Sequence, residues 1–347
     1  PGGLVHANVA TATMFSATSG SSVATAATVA TVAMPQAEKL GYDPKLFSGA
    51  IAAGGTLGIM IPPSINLIVF GFLTQSSIPQ LFLAGLVPGL ILAFSFLMVT
   101  AIICTIRPDL GGQRRVFPLA QMLRALIDLL PILILFGLIV GSIYRGWATP
   151  TEAAAVGVAG AFLIAAAFGG VNWTMLRKSL LGTIKITSMI MLIIIGASFL
   201  NFTLSSAGLG RELTAFMEGL GLGPIGFILV VVVLYIVLGF FIETLSLMVV
   251  TIPIIVPLIV AQGYDPIWFG VLMILNIVIA VQTPPYGFAL FYLKGIAPKG
   301  VTMMDLYKSY SEKKVSRPSS DIVRSFMNIN IVLSSDLVGF SMTMMKR

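Results

Sequence analysis

Charge is what this sequence most lacks. Only 10% of its 347 residues are Asp, Glu, Lys or Arg, against roughly 25% in a typical soluble domain. From Leu46 to Ile106 there is no Asp, Glu, Lys, Arg or His at all. A water-facing surface cannot be built from so few charges, so a soluble globular domain is excluded. Cys104 is the one cysteine and lies inside an apolar segment, which excludes an internal disulfide and a thiolate metal cluster. His6 is the one histidine.

What is present is apolar length. The chain is 57% hydrophobic with a mean hydropathy of +1.01, the composition of an integral membrane protein. A span needs about 20 apolar residues, and candidate spans fall at 46–73, 81–106, 125–144, 153–171, 186–206 and 267–293, with hairpin-like pairs at 4–37 and 223–262. The formal charge of +7 does not mark a nucleic-acid partner, because the basic residues sit in short loops. Lys39 and Lys45, then Arg107, Arg114, Arg115 and Arg124, then Arg177, Lys178 and Lys185, then Lys294 and Lys299 mark four cytoplasmic connections by the positive-inside rule. Arg145 and Arg211 alone lie in the intervening ones.

One pattern occurs twice. Gly41-Tyr42-Asp43-Pro44 leads through an apolar stretch to Ile61-Pro62-Pro63-Ser64, and Gly263-Tyr264-Asp265-Pro266 leads to Thr283-Pro284-Pro285-Tyr286. A single offset carries Asp43 onto Asp265 and Pro62 onto Pro284, and also Pro35 onto Pro257 and Ser22 onto Thr244. Gly54, Gly55, Gly58, the two prolines and Asn66 within one span predict a broken helix rather than a kinked one. Breaks free carbonyls and amides in mid-bilayer, which is tolerable only around a ligand or ion, and paired breaks in two halves of a chain point to a secondary transporter. The charge count requires 4–37 to enter and leave from the cytoplasm and 223–262 from outside. The expected fold is therefore all-α, an inverted repeat with two re-entrant hairpins and two broken helices.

The expected units are 1–73 (first hairpin and broken helix), 74–206 (spans and a cytoplasmic surface helix near 117–128), 223–293 (second hairpin and broken helix) and a polar tail at 308–347. Pro1 opens directly into a hairpin, so missing upstream spans are expected, and the tail reads as a truncated or frame-shifted end. Thr149-Pro150-Thr151-Glu152 predicts a capped helix start. Glu243, flanked on both sides by more than twenty uncharged residues, could bind a proton or cation, orient the second hairpin through Ser246 or backbone, or reach water.

The sequence resembles the large membrane subunit of tripartite ATP-independent periplasmic (TRAP) transporters. The likeness rests on the Ser19-Gly20-Ser21-Ser22 tip, GGTLGIMIPPSINLIVFG from Gly54, GWATPTEAAAVG from Gly146, ETLSLMVVTIPIIVPL from Glu243 and TPPYGFALFYLKG from Thr283, and covers about 1–305. It implies an elevator-type protein of the bacterial inner membrane. Such a protein couples sodium entry to uptake of a dicarboxylate, sugar acid or keto acid, alongside a small membrane subunit, a periplasmic binding protein and membrane lipid, with no cofactor beyond sodium. Matched motif by motif, one sodium site would use Ser19, Ser22, Gly58, Ile61 and Pro63. The other would use Gly239, Ala280, Thr283 and Tyr286, with Ala280 where the family usually has Gly. Substrate is expected near Ser21, Gly55, Thr56, Asn66 and Thr244. The rival readings are a stand-alone sodium–dicarboxylate symporter, a channel, and an intramembrane serine protease pairing Ser19 or Ser21 with His6.

Overall fold

A computed structural model of the chain describes residues 2–112, 118–208 and 223–282, with Glu212, Ala215 and Gly219 between the last two segments. Every regular element among the described residues is helical. The helices are α1 (Gly3–Ser19), α2 (Ser22–Lys39), α3 (Pro44–Met60), α4 (Ile65–Thr74), α5 (Ile78–Ile106), α6 (Leu119–Tyr144), α7 (Pro150–Ala167), α8 (Trp173–Ser206), α9 (Pro224–Gly239), α10 (Thr244–Ala261) and α11 (Pro266–Gln282), with a 3₁₀ turn at Pro108–Gly111.

The repeated motif acts as a helix stop and restart. Gly41 and Gly263 both take positive φ, 67° and 82°, a conformation that only glycine adopts at low cost. The next amide folds back, Tyr42 N–H onto the Ala37 carbonyl and Tyr264 N–H onto that of Ile259. Asp43 then accepts from Leu46 N–H at 2.8 Å, and Asp265 from Ile267 and Trp268 N–H at 2.6 and 3.2 Å. Each carboxylate caps the helix that its Pro begins. One offset relates both ends of α2 to those of α10, and both ends of α3 to those of α11.

Packing follows the same plan. α1 and α2 lie on α3, α9 and α10 lie on α11, and α3 and α11 meet each other and α5. Close approach comes from small residues, as in membrane interiors where apolar burial against lipid gains little. A Cβ on Gly54 would sit 2.8 Å from that of Ala12, and one on Gly55 2.7 Å from that of Ala26. Between the two units Phe269 packs at a tilt on Phe70 (6.5 Å), and within its own unit on Tyr235 (6.2 Å). The buried Tyr235 hydroxyl bridges α9 to α10 through Thr251 Oγ1 at 2.7 Å.

Five segments among the described residues are long and apolar enough to cross a membrane: 46–74, 78–106, 150–167, 173–200 and 244–261. Two helices differ from the sequence expectation. α6 runs from Leu119 to Tyr144 with Pro131 inside it, so the Leu, Met and Ala residues near 119–126, strong helix formers, join in one helix with the apolar stretch 129–144 instead of forming a separate element. α8 begins at Trp173, well before 186, and its 34 residues extend about 51 Å against a hydrocarbon core of about 30 Å. Arg177, Lys178 and Lys185 therefore ride on the helix rather than in a loop. Phe162, Leu163, Leu192, Ile195 and Phe199 on α7 and α8 are exposed, as lipid-facing side chains are.

Thr149 caps α7 as expected. Its side chain accepts from Glu152 N–H, and the Glu152 carboxylate accepts from Thr149 N–H and its hydroxyl, both at 2.8 Å. The tail at 308–347, the end of the expected 267–293 span, and the loop residues Arg114, Arg115 and Arg211 lie outside the described residues.

Candidate functional site

The first hairpin turns in two residues. Gly20 takes φ 60° and closes α1 with its N–H on the Ser16 carbonyl at 2.9 Å. Ser21 is extended and caps α2, accepting from Ala24 N–H at 3.5 Å. Ser19 Oγ lies 2.7 Å from Thr25 Oγ1, and the Thr25 hydroxyl donates to the Ser21 carbonyl at 2.8 Å. Thr25 is fully buried and fixes the tip. The sequence reading missed it, although a hydroxyl four residues after Ser21 is the spacing that returns to the cap carbonyl.

This tip rests on the break between α3 and α4. A Cβ on Gly58 would meet the Ser21 carbonyl carbon and oxygen at 2.8 Å and Ser22 N at 3.1 Å, and one on Gly20 would meet the Pro63 carbonyl oxygen at 2.8 Å. Ile65 N–H reaches back to the Gly20 carbonyl at 3.4 Å. The chain crosses the break through a cis Pro62-Pro63 bond. Ser64 caps α4, accepting from Leu67 N–H and donating to the Ile59 carbonyl.

Of the expected first sodium site, Ser19, Ser22, Gly58 and Pro63 thus converge on one contact. Ile61 starts the break, with its N–H on the Leu57 carbonyl at 2.8 Å. The expected substrate residues divide. Ser21 is at the tip and Thr244 opens α10. Gly55 is covered by the α2 backbone at Ala26, Thr56 is buried with its hydroxyl donating to Ala53, and Asn66 is buried in α4. Residues 7–37 add no Asp, Glu, Lys, Arg or His to this tip, so what it offers an ion is backbone and hydroxyl oxygen.

At the second tip α9 ends at Gly239 and α10 starts at Thr244. A Cβ on Gly239 would stand 2.5 Å from that of Ala280, so these two expected ligands are in contact. Thr283 and Tyr286 lie outside the described residues. Glu243 occupies the position that Ser21 holds in the first unit. Its Oε2 accepts from Leu245 N–H at 3.0 Å and Ser246 N–H at 3.2 Å, with Ser246 Oγ at 3.5 Å. Of the three roles open to Glu243, the structure displays two: its carboxylate occupies the donor end of α10, where the helix dipole favours negative charge, and the side chain is exposed, so it also reaches outward from the tip.

The pairing needed for a serine nucleophile is absent among these residues. His6 Nδ1 lies 2.8 Å from the Gly2 carbonyl in the first turn of α1. Ser19 is at the other end of that helix, about 20 Å away by helix rise.

Comparison with known proteins gives a consistent match. Residues 1–341 fit the family model described as tripartite ATP-independent periplasmic transporter, DctM component. The match runs past about residue 305, where the resemblance read from the motifs ends, into the polar tail. The chain is 36% identical over 305 residues to a C4-dicarboxylate TRAP transporter large permease protein of Pseudomonas aeruginosa, covering 87% of this chain and 71% of that protein. It is 31% identical over 300 residues to the sialic acid TRAP transporter large permease protein of Vibrio cholerae (85% and 69%). It is 31% identical over 298 residues to the 2,3-diketo-L-gulonate TRAP transporter large permease protein of Escherichia coli (86% and 70%).

Proposed function

From the premise that this chain belongs to the DctM-component family of tripartite ATP-independent periplasmic transporters, we propose that it couples sodium entry to uptake of a small organic acid. As a family member it is a multi-pass membrane transporter subunit and not an enzyme. The binding protein, the small membrane subunit, the inner-membrane location, the inverted topology and the elevator motion are parts of the same proposal.

The observation that carries it is the pair of tips. Each is a short turn between two helices whose backbone touches a glycine or alanine of a third helix: Gly58 under Ser21 and Ser22, and Ala280 under Gly239. Sodium prefers hard oxygen ligands, and a carbonyl–hydroxyl cluster supplies them without fixed charge. Units 1–73 and 223–293 would form the moving domain around the ions, and 74–206 the scaffold. The relatives named above carry C4-dicarboxylate, sialic acid and 2,3-diketo-L-gulonate, all organic acids, and an anion of that class suits helix N-termini beside bound sodium.

Reconstitution tests the coupling. In liposomes holding this chain with its small subunit, an inward sodium gradient plus loaded binding protein should drive uptake. Uptake with no binding protein would establish the stand-alone symporter instead, and uptake driven by a proton gradient alone would remove sodium from the mechanism. Orientation has its own test. Cysteines at Lys39 and Lys178 should be labelled from the cytoplasm only and one at Ser77 from outside only. Labelling of the Lys39 position from outside would break the inverted arrangement.

A further inference from the structure

A cavity of about 640 Å³ opens between the end of α4, the last third of α8 and the returning helix α10, walled by Leu73, Gln75, Ser198, Pro253, Pro257 and Val260 among others. It belongs to neither tip. Among the described residues, no Asp, Glu, Lys, Arg or His lines it. We infer that it is a binding site for one acyl chain of a bilayer phospholipid.

Three observations select that occupant. The recess is continuous with the lipid-facing surface: Phe72 and Val260, which line it, and Phe199 beside it are all exposed, and they stand on or against candidate spans. It runs inward from a polar end. Thr74 and Gln75 close α4 and Ala261 closes α10, while Ile252 and Pro253 line it about halfway along α10. Its length also fits, because the stretch of α10 from Ile252 to Ala261 rises about 13 Å, close to the half-thickness of a hydrocarbon core about 30 Å across. Among the described residues an organic anion finds no counter-charge here, whereas a hydrocarbon tail meets an uncharged wall.

The seat joins two bodies of the structure. α8 packs on α10, and next to the cavity Ala197 clusters with Val69 of α4 and Val249 of α10. A chain filling the space below that cluster extends the contact, so its removal should loosen α8 from α4 and α10.

The test uses the full chain with whatever subunit copurifies, delipidated in detergent and then given synthetic phosphatidylethanolamine. Native mass spectrometry should find one phospholipid retained by the wild type and by the lipid-facing control Val158→Trp. Ser198→Trp and, independently, Ala261→Phe, which fill the recess from exposed positions, should each lose it. The added lipid should raise Tm by roughly 2–4 °C in wild type and control but not in the filled variants. Equal retention in all four proteins would overturn the site. So would an equal rise in Tm from detergent alone, or a recess found closed by the copurifying subunit with no lipid bound.

Discussion

Gly58→Ala should lower sodium-driven uptake about ten- to a hundredfold while the protein still inserts in normal amounts. The added methyl would meet backbone atoms of Ser21 and Ser22 at 2.8–3.1 Å. A flexible side chain could turn away, but a helix-capping carbonyl held by Thr25 at 2.8 Å cannot. Forcing a methyl into such a contact costs about 1–3 kcal/mol, and each 1.4 kcal/mol is a decade in binding. The penalty falls on the closed tip, so sodium affinity and uptake should drop together. Gly137→Ala and Gly182→Ala, where the new methyl meets open space, should transport as wild type does. Gly20→Ala, strained by its φ of 60° and pressed on the Pro63 carbonyl, should resemble Gly58→Ala. The double variant should lose much less than the product of the two, because both open the same contact. If Gly58→Ala matched the controls, the tip would not close on α3 in the working protein.

Much of this contact was legible in the sequence because it depends on residue types with one physical use. Double prolines break helices, Gly-Tyr-Asp-Pro stops and restarts them, and an offset shared by Pro35 and Pro257 ties two copies together. The ends of α2, α3, α10 and α11 follow from those residues. Partner choice was not legible. Gly54, Gly55 and Gly58 lie within one turn and a half, and nothing in their spacing says that the first takes Ala12, the second Ala26 and the third the backbone of Ser21. That is decided by how α1 and α2 cross α3. The early start of α8 was hidden for another reason. Arg177, Lys178 and Lys185 read as a loop by charge, yet a helix longer than the bilayer can carry cations on its projecting end. Glu243 stood out by isolation, but its bonds to Leu245 and Ser246 N–H depend on where α10 begins.

The second tip offers a test with an internal rescue. Gly239→Ala should reduce substrate affinity by about a decade or more and bring the sodium Hill coefficient from near two toward one, because a methyl at 239 would stand 2.5 Å from the methyl of Ala280. Ala280→Gly alone should leave uptake near wild type or improve it, since it removes that methyl. It also places at 280 the residue that the resembled family usually has. Combining the two moves the methyl from one helix to the other at nearly constant volume, so Gly239→Ala with Ala280→Gly should recover most of the lost affinity. Coupling of at least about 1 kcal/mol in that double-mutant cycle is the expected signature of a direct contact. Linkage adds a reciprocal reading. If sodium at this tip favours substrate, then substrate should tighten sodium binding by the same factor in wild type and in the rescued double variant, and by much less in Gly239→Ala. Glu243→Gln serves as the counter-experiment: if sodium dependence vanished there while Gly239→Ala kept a Hill coefficient near two, the coupling charge would be the carboxylate, and the contact between Gly239 and Ala280 would serve packing alone.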